Sequence, residues 1–336
     1  MKIKSLLIIF VFVLLVLNSS SFAEDKNFLS AYPKLKLKEK SNFSSLETTK
    51  NSKYNLKYFS SDSSVLKERK KEPVKKYKVD PLKMTILGVV GAGILTSMHI
   101  YYSNTWWKDQ RDYFKFAQDG YYARNMDKVS HIYTANFFTE ASAIAYEWAG
   151  VNPKKALLYG AITSMVYETY IEINDGFAPN WGFDWEDMGT NIFGAVYPFL
   201  QREVPVLENV NFKWSFKPDW IRKKAENADD LLDDYTNMTF WLSVNPEIVL
   251  PKSVTKAKLY PNFLALALGM SVKNASHRTG STYAYTEWFL SFDWDIRKLP
   301  GDSDFMKKLK KILNFYHFPA PAVRVSPSGI WYGLYF

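Results

Sequence analysis

The stretch YTEWFLSFDWDI, residues 285–296, alternates strictly between apolar and other residues in its second half. Trp288, Leu290, Phe292, Trp294 and Ile296 fall on one face, while Asp293 and Asp295 point the other way. A two-residue period marks a half-buried strand, because successive side chains of an extended chain leave opposite faces. Residues 235–244, YTNMTFWLSV, repeat the pattern with Met238, Phe240, Leu242 and Val244, and residues 262–273 behave similarly. Gly329 to Phe336 reads as a last strand, with Ile330, Tyr332 and Leu334 at alternate positions before the terminal Phe336. That ending is similar to the assembly signal of outer-membrane β-proteins. Pro319, Pro321 and Pro327 argue against a central strand just before it, since proline brings no N–H to a ladder. Phe305 to Phe315 reads as a short amphipathic helix. Four or five strands are too few for the usual closed barrel of roughly eight or more.

Upstream the period lengthens to that of helices. Residues 82–102, LKMTILGVVGAGILTSMHIYY, are long and apolar enough to cross a bilayer. Further helices are predicted over 127–148, ended by Gly150; over 153–173, with Pro153 in its first turn and Gly176 beyond its end; and over 184–201, opening on Asp184 and Asp187 as a capping box. The expected fold class is therefore α+β: a bundle of about four helices followed by an antiparallel β-meander, as an open or partial barrel-like sheet.

At the N-terminus, Lys2 and Lys4 precede the apolar run Leu6 to Leu17, and Ser21-Phe22-Ala23 offers a small-x-small cleavage site. This predicts a secretory signal peptide over 1–23. Residues 24–80 carry 15 Lys/Arg against 8 Asp/Glu, a surplus of 7 out of the net +9, and lack sustained apolar patterning. They read as a disordered basic linker. A helical domain over 81–211 and a β-rich region over 212–336 follow. A basic excess concentrated in a linker does not describe a nucleic-acid-binding fold, and suits anionic lipid or polysaccharide better. The absence of Cys excludes disulfides, thiolate metal sites and a lipidated Cys within this sequence. Aromatic residues at 17% suit a membrane interface or a large aromatic core. Export would leave Lys75, Lys76, Lys78 and Lys83 outside the cytoplasm, against the bias of an inner-membrane span. The 82–102 helix is thus expected to pack within the protein or lie at a membrane surface.

Polar residues recur at i, i+4 on three of these helices: Asp127 with His131, Glu168 with Glu172, and Asp187 with Asn191. Asp175 follows just beyond the second pair. The spacing puts each pair on one helix face, and burial would require the pairs to meet. His131, Glu172, Asp175 and Asp187 are the catalytic candidates, with His131 as general base or ligand. Asp127, Lys128, Glu168 and Asn191 are the accompanying structural cluster. Carboxylates beside one His suit a hard or borderline divalent cation. The plainer alternative is architectural: Asp127 and Asp187 capping their helices, His131 bonded to Asp127, Glu172 and Asp175 holding the 175–183 loop, and Gly176 and Gly194 serving a turn and close packing.

Asp127-Lys128-x-x-His131, then Ile171-Glu-Ile-x-Asp-Gly-Phe177, then Trp181-Gly-Phe with Asp187, Asn191 and Gly194 resemble, in order, the YfiM-like family of predicted periplasmic proteins. A looser likeness to VanZ-like membrane proteins rests on Asp127-Lys128-x-x-His131 and the later Asp187 and Asn191. The resemblance implies a helical core and an exported location, in the periplasm or outer membrane. The signal peptide, the aromatic load, the terminal strand and the lack of a known catalytic motif lead to a membrane-associated structural or interaction component of the envelope, meeting membrane lipid or the outer-membrane assembly machinery. The alternative is an envelope hydrolase or metal-dependent enzyme built on His131, Glu172, Asp175 and Asp187.

Overall fold

A computed structural model describes residues 77–109, 111–117, 122–217, 234–248, 260–275 and 284–336, with residues 250 and 253. The expected signal peptide, and the expected linker up to residue 76, lie outside them. The described residues form an α+β fold with helices mostly preceding strands. Helices α1 (Pro81–Asn104), α2 (Met126–Trp148), α3 (Pro153–Gly176) and α4 (Trp185–Glu203) come first. Strands β1 (Val210–Phe216), β2 (Met238–Val244), β3 (Leu264–Lys273) and β4 (Tyr285–Trp294) follow. Helix α5 (Asp304–Leu313) then leads to β5 (Ala320–Ser326) and β6 (Ile330–Tyr335).

The helix starts have local causes. Asp80, Asn152 and Asp184 each accept a hydrogen bond from a backbone N–H one turn in, and Pro81 and Pro153 occupy first helical positions. Asp127 does not cap α2. That helix begins after Ala123, Arg124 and Asn125, all at positive φ, with no side-chain cap.

The six strands pair antiparallel in sequence order, β1 to β6. The sheet is an open meander, as expected, but with more strands than the alternation revealed. β5 is central, between β4 and β6, despite containing Pro321. The β5–β6 register shifts between Ala320 and Ala322, so the proline sits where the regular ladder is interrupted. The same shift turns Tyr335 inward beside Tyr332 and leaves Leu334 exposed, so the last strand does not keep the simple alternation read from its sequence.

The face opposite the apolar one is not solvated. Lys213, Ser215, Thr239, Ser243, Ser271, Glu287 and Asp293 are all buried there, around Trp241, Phe289 and Tyr335. Lys213 Nζ lies 2.7 Å from Asp293 Oδ2 and donates to the Trp294 carbonyl at 2.7 Å. Ser243 Oγ donates to the same Asp293, and Trp241 Nε1 donates to Ser215 Oγ at 2.8 Å. The chain leaving α5 bridges the free edge of β1 at Trp214 and Tyr316, and delivers His317 into this interior. Its ring stacks on Trp241 at 3.9 Å, and a Cβ at Gly269 would lie 2.5 Å from the same indole. The apolar face turns outward. Phe240, Met270 and Trp288 meet Met126, Val129 and Tyr133 of α2, while Leu266, Leu290, Phe292, Trp331 and Leu334 remain exposed.

Burial pushes the His317 imidazole down to about 4, with Lys213 adding to the effect and Asp293 opposing it. Between pH 6.5 and 4 the unfolded chain therefore takes up a proton that the native state refuses. The stability from burying a neutral ring is complete above the upper value and is lost as pH falls through the window. Urea denaturation at pH 7, 5.5 and 4 should show this loss, up to about 3 kcal/mol for a single site. His317→Gln should have a shallower acid limb; identical slopes in the two proteins would refute the assignment.

Candidate functional site

Helices α2, α3 and α4 cross closely because two glycines allow it. A Cβ on Gly160 of α3 would lie 2.3 Å from the Thr139 carbonyl oxygen of α2, and one on Gly194 of α4 would lie 2.4 Å from that of Ile132. Both distances are below any tolerable contact, so only glycine permits this approach. The crossing brings the three i, i+4 pairs together.

Lys128 Nζ bonds Asp184 Oδ2 at 3.0 Å and lies 2.8 Å from Asp187 Oδ1 and 3.5 Å from Asp127 Oδ2. Asp127 Oδ1 accepts from the Tyr235 hydroxyl at 2.8 Å. His131 Nδ1 is 3.1 Å from Asn191 Oδ1 and 3.9 Å from Glu168 Oε2. Its other nitrogen, Nε2, faces Asp127 Oδ1 at 3.7 Å, Asp187 Oδ1 at 3.7 Å and Glu172 Oε1 at 3.9 Å. Glu172 Oε2 accepts from the Asp184 backbone N–H at 3.2 Å. Asp127, Lys128, Glu168, Glu172, Asp184, Asp187 and Asn191 are all buried.

Asp127, Lys128, His131, Glu168, Glu172, Asp187 and Asn191 thus converge. Asp175 turns to a different partner, its Oδ1 accepting from Trp107 Nε1 at 2.6 Å beside the aromatic cluster at the end of α1, and reaches the group through its charge, which raises Glu172. His131 is not hydrogen-bonded to Asp127, because 3.7 Å is too long; its bond is to Asn191. Two members were not anticipated. Asp184 caps α4 with Oδ1 and bonds Lys128 with Oδ2, and its position one turn before Asp187 was the available signal. Tyr235 arrives from 108 residues away, and no local pattern announces it.

Charge dominates the chemistry here. Burial disfavours the His131 imidazolium, yet the surrounding Asp187, Asp127, Glu172 and Glu168 carboxylates outweigh it and raise the group to about 10. Burial pushes Glu168 up to about 7 and Glu172 up to about 8, with His131 opposing in both. Burial also raises Asp187. Asp127 is lowered despite its burial, because His131, Lys128 and the Tyr235 hydroxyl favour its charged form. The group can bind a cation, hold a proton, or lock three helices in register.

Adding one methyl at Gly160 or Gly194 should separate the helices. We expect Gly160→Ala and Gly194→Ala each to cost about 1–3 kcal/mol by overpacking. Gly91→Ala on α1, where a Cβ meets nothing within 4 Å, should be neutral or slightly stabilising. Chemical denaturation of the three variants checks this, and equal behaviour would exclude the close-approach role.

Residues 115–203 match the model of a family described as predicted periplasmic lipoprotein (DUF2279). The match covers α2, α3 and α4 with every member of the cluster except Tyr235. No curated protein and no solved structure matches the chain. The family's description agrees with an exported location, in the periplasm or at the outer membrane.

Proposed function

We propose that the protein is a membrane-attached, non-enzymatic component of the cell envelope, with the outer face of its helical layer lying against lipid. The observation that carries this reading is the exposure of α1. The helix has 24 residues, yet Tyr102 is its only buried one. Leu82, Val89 and Ile94 are 69%, 68% and 55% exposed. The expectation that this helix packs within the protein is met only at its ends. There, Asp80 N–H donates to the Ala149 carbonyl, and Tyr102 sits with Tyr167 and Ile171.

Neighbouring surfaces extend the apolar area. Ile162, Val166 and Ile173 of α3 and Ile192 and Val196 of α4 line a groove of about 520 Å³. Exposed apolar area of this extent marks a contact surface. Its two ends carry the residues that favour headgroups. Trp148 is exposed near Lys83, whose ammonium lies 5.0 Å from the indole centroid, with Lys154 and Lys155 at the adjacent start of α3. Trp185 is exposed at the start of α4, and Trp106 and Trp107 follow α1. Trp at both ends with Lys at one is an interfacial arrangement. The exposed outer faces of β4–β6 are a second apolar surface, to which outer-membrane assembly machinery or lipid would be suited.

A second reading, an envelope hydrolase or metal-dependent enzyme, draws support from His131 Nε2 facing three carboxylates. The burial of those carboxylates weighs against a site that must admit a substrate.

Flotation with vesicles containing anionic lipid tests the favoured reading. The full chain should float with the vesicles. Val89→Lys with Ile94→Lys should move most of it to the soluble fraction without changing its circular dichroism. A wild-type chain that stays below the vesicles would overturn the membrane assignment.

A further inference from the structure

The His131 ring is held in an unusual way. Its Nδ1 lies 3.1 Å from Asn191 Oδ1, so Nδ1 carries the proton and donates to that carbonyl. Its other nitrogen, Nε2, faces Asp127 Oδ1, Asp187 Oδ1 and Glu172 Oε1, at 3.7, 3.7 and 3.9 Å, and gives up its proton when a metal ion takes that proton's place. These separations are too long for hydrogen bonds. They are near those of ligands sharing one ion, since donors about 2.0–2.2 Å from a tetrahedral centre lie roughly 3.4 Å apart. Donor atoms of Asp127, His131 and Asp187 all fall within 4.8 Å of one another.

A second observation comes from outside that ligand set. Glu168 is 2% exposed, its Oε1 has no hydrogen-bond partner, and its Oε2 approaches the same histidine. A buried carboxylate of this kind demands positive charge nearby. Among the described residues, Asp127, Glu168, Glu172, Asp184 and Asp187 set five carboxyl groups against Lys128 and His131.

We propose that Asp127, His131 Nε2 and Asp187 bind one divalent transition-metal ion of the Zn²⁺ or Mn²⁺ kind, with the Glu172 carboxylate beside the histidine. One imidazole with two carboxylates is a donor set for such ions, whereas Mg²⁺ prefers oxygen alone. Asn191 is the positioning residue that orients the imidazole, as the hydrogen-bond partner of a ligating His does. Lys128 shares Asp187 with the ion and retains Asp184 Oδ2, which it bonds at 3.0 Å. Glu168 balances charge from behind the ring. The site is independent of the membrane reading, because its ligands lie between helices and not on the exposed face.

The test uses the full chain without a histidine tag, stripped with chelator and then dialysed against Zn²⁺, Mn²⁺ or Mg²⁺ in turn. Elemental analysis after gel filtration should find one Zn²⁺ or Mn²⁺ per chain, and Tm should rise with the same ion. Asp127→Asn with Asp187→Asn should abolish both effects. Asn191→Ala, which keeps every ligand, should weaken binding roughly 10–100-fold. The proposal fails if the wild-type chain retains neither Zn²⁺ nor Mn²⁺ and neither shifts its Tm. It also fails if only Mg²⁺ acts, or if the double variant folds and keeps its metal. Should the double variant not fold, the wild-type stoichiometry and the Asn191→Ala affinity decide.

Discussion

The helical half depends on one constraint: a surplus of buried carboxylates that cannot be separated from their cations. Lys128 and His131 stand on α2, Glu168 and Glu172 on α3, and Asp184 and Asp187 at the start of α4. Pulling any helix away would leave charges in a medium that solvates them poorly, a penalty of several kcal/mol per ion. Gly160 and Gly194 permit the approach, and the charges make it specific, since a slip of one helical turn would remove each group from its partner. Charge registry and close packing are thus two aspects of a single arrangement. Tyr235 extends it to the start of β2, through its hydroxyl bond to Asp127.

The sheet follows the opposite convention to most half-buried sheets. Its small and polar residues are enclosed around Trp241, Phe289 and Tyr335, and large apolar ones on the other face point outward toward α2 or solvent. The Lys213–Asp293 pair is wholly buried, Ser243 and the Trp294 carbonyl bond to it, and the His317 ring lies 4.0 Å from Asp293 Oδ1. Burial holds the Lys213 ammonium below its usual range, with Asp293 opposing. Small residues such as Ala265, Ala267 and Ala322 make room for Trp241 and Phe289 between them. The curved sheet therefore fills its own interior and leaves an apolar exterior.

Much of this was legible in the residues, for identifiable reasons. Helix boundaries followed from Asp, Asn, Pro and Gly at the ends, because capping acts over only a few residues. The i, i+4 pairs announced that α2, α3 and α4 would share a polar face. Alternation gave β2, β3 and β4 but not which face would be enclosed, since period two is indifferent to sign. β5 was hidden by Pro321, whose missing N–H is accommodated by a register shift set by the neighbouring strand. Asp175 was misplaced because a residue at a helix end is free to turn toward a different partner, here Trp107. Tyr235 was invisible because a contact across 108 residues has no local signature.

The two halves share a consequence for where the protein can reside. In each, polar groups are consumed internally: the carboxylates by Lys128 and His131, and the sheet's polar face by Lys213 and its neighbours. What remains for the exterior of α1, α3, α4 and β4–β6 is largely apolar. An aqueous protein ordinarily keeps its charges outside, where hydration is free, and buries its aliphatic side chains. Here the helices and the sheet depart from that rule independently, by different residues and different geometry. The lipid contact proposed above would account for both departures at once, whereas separate local explanations would have to be found for each.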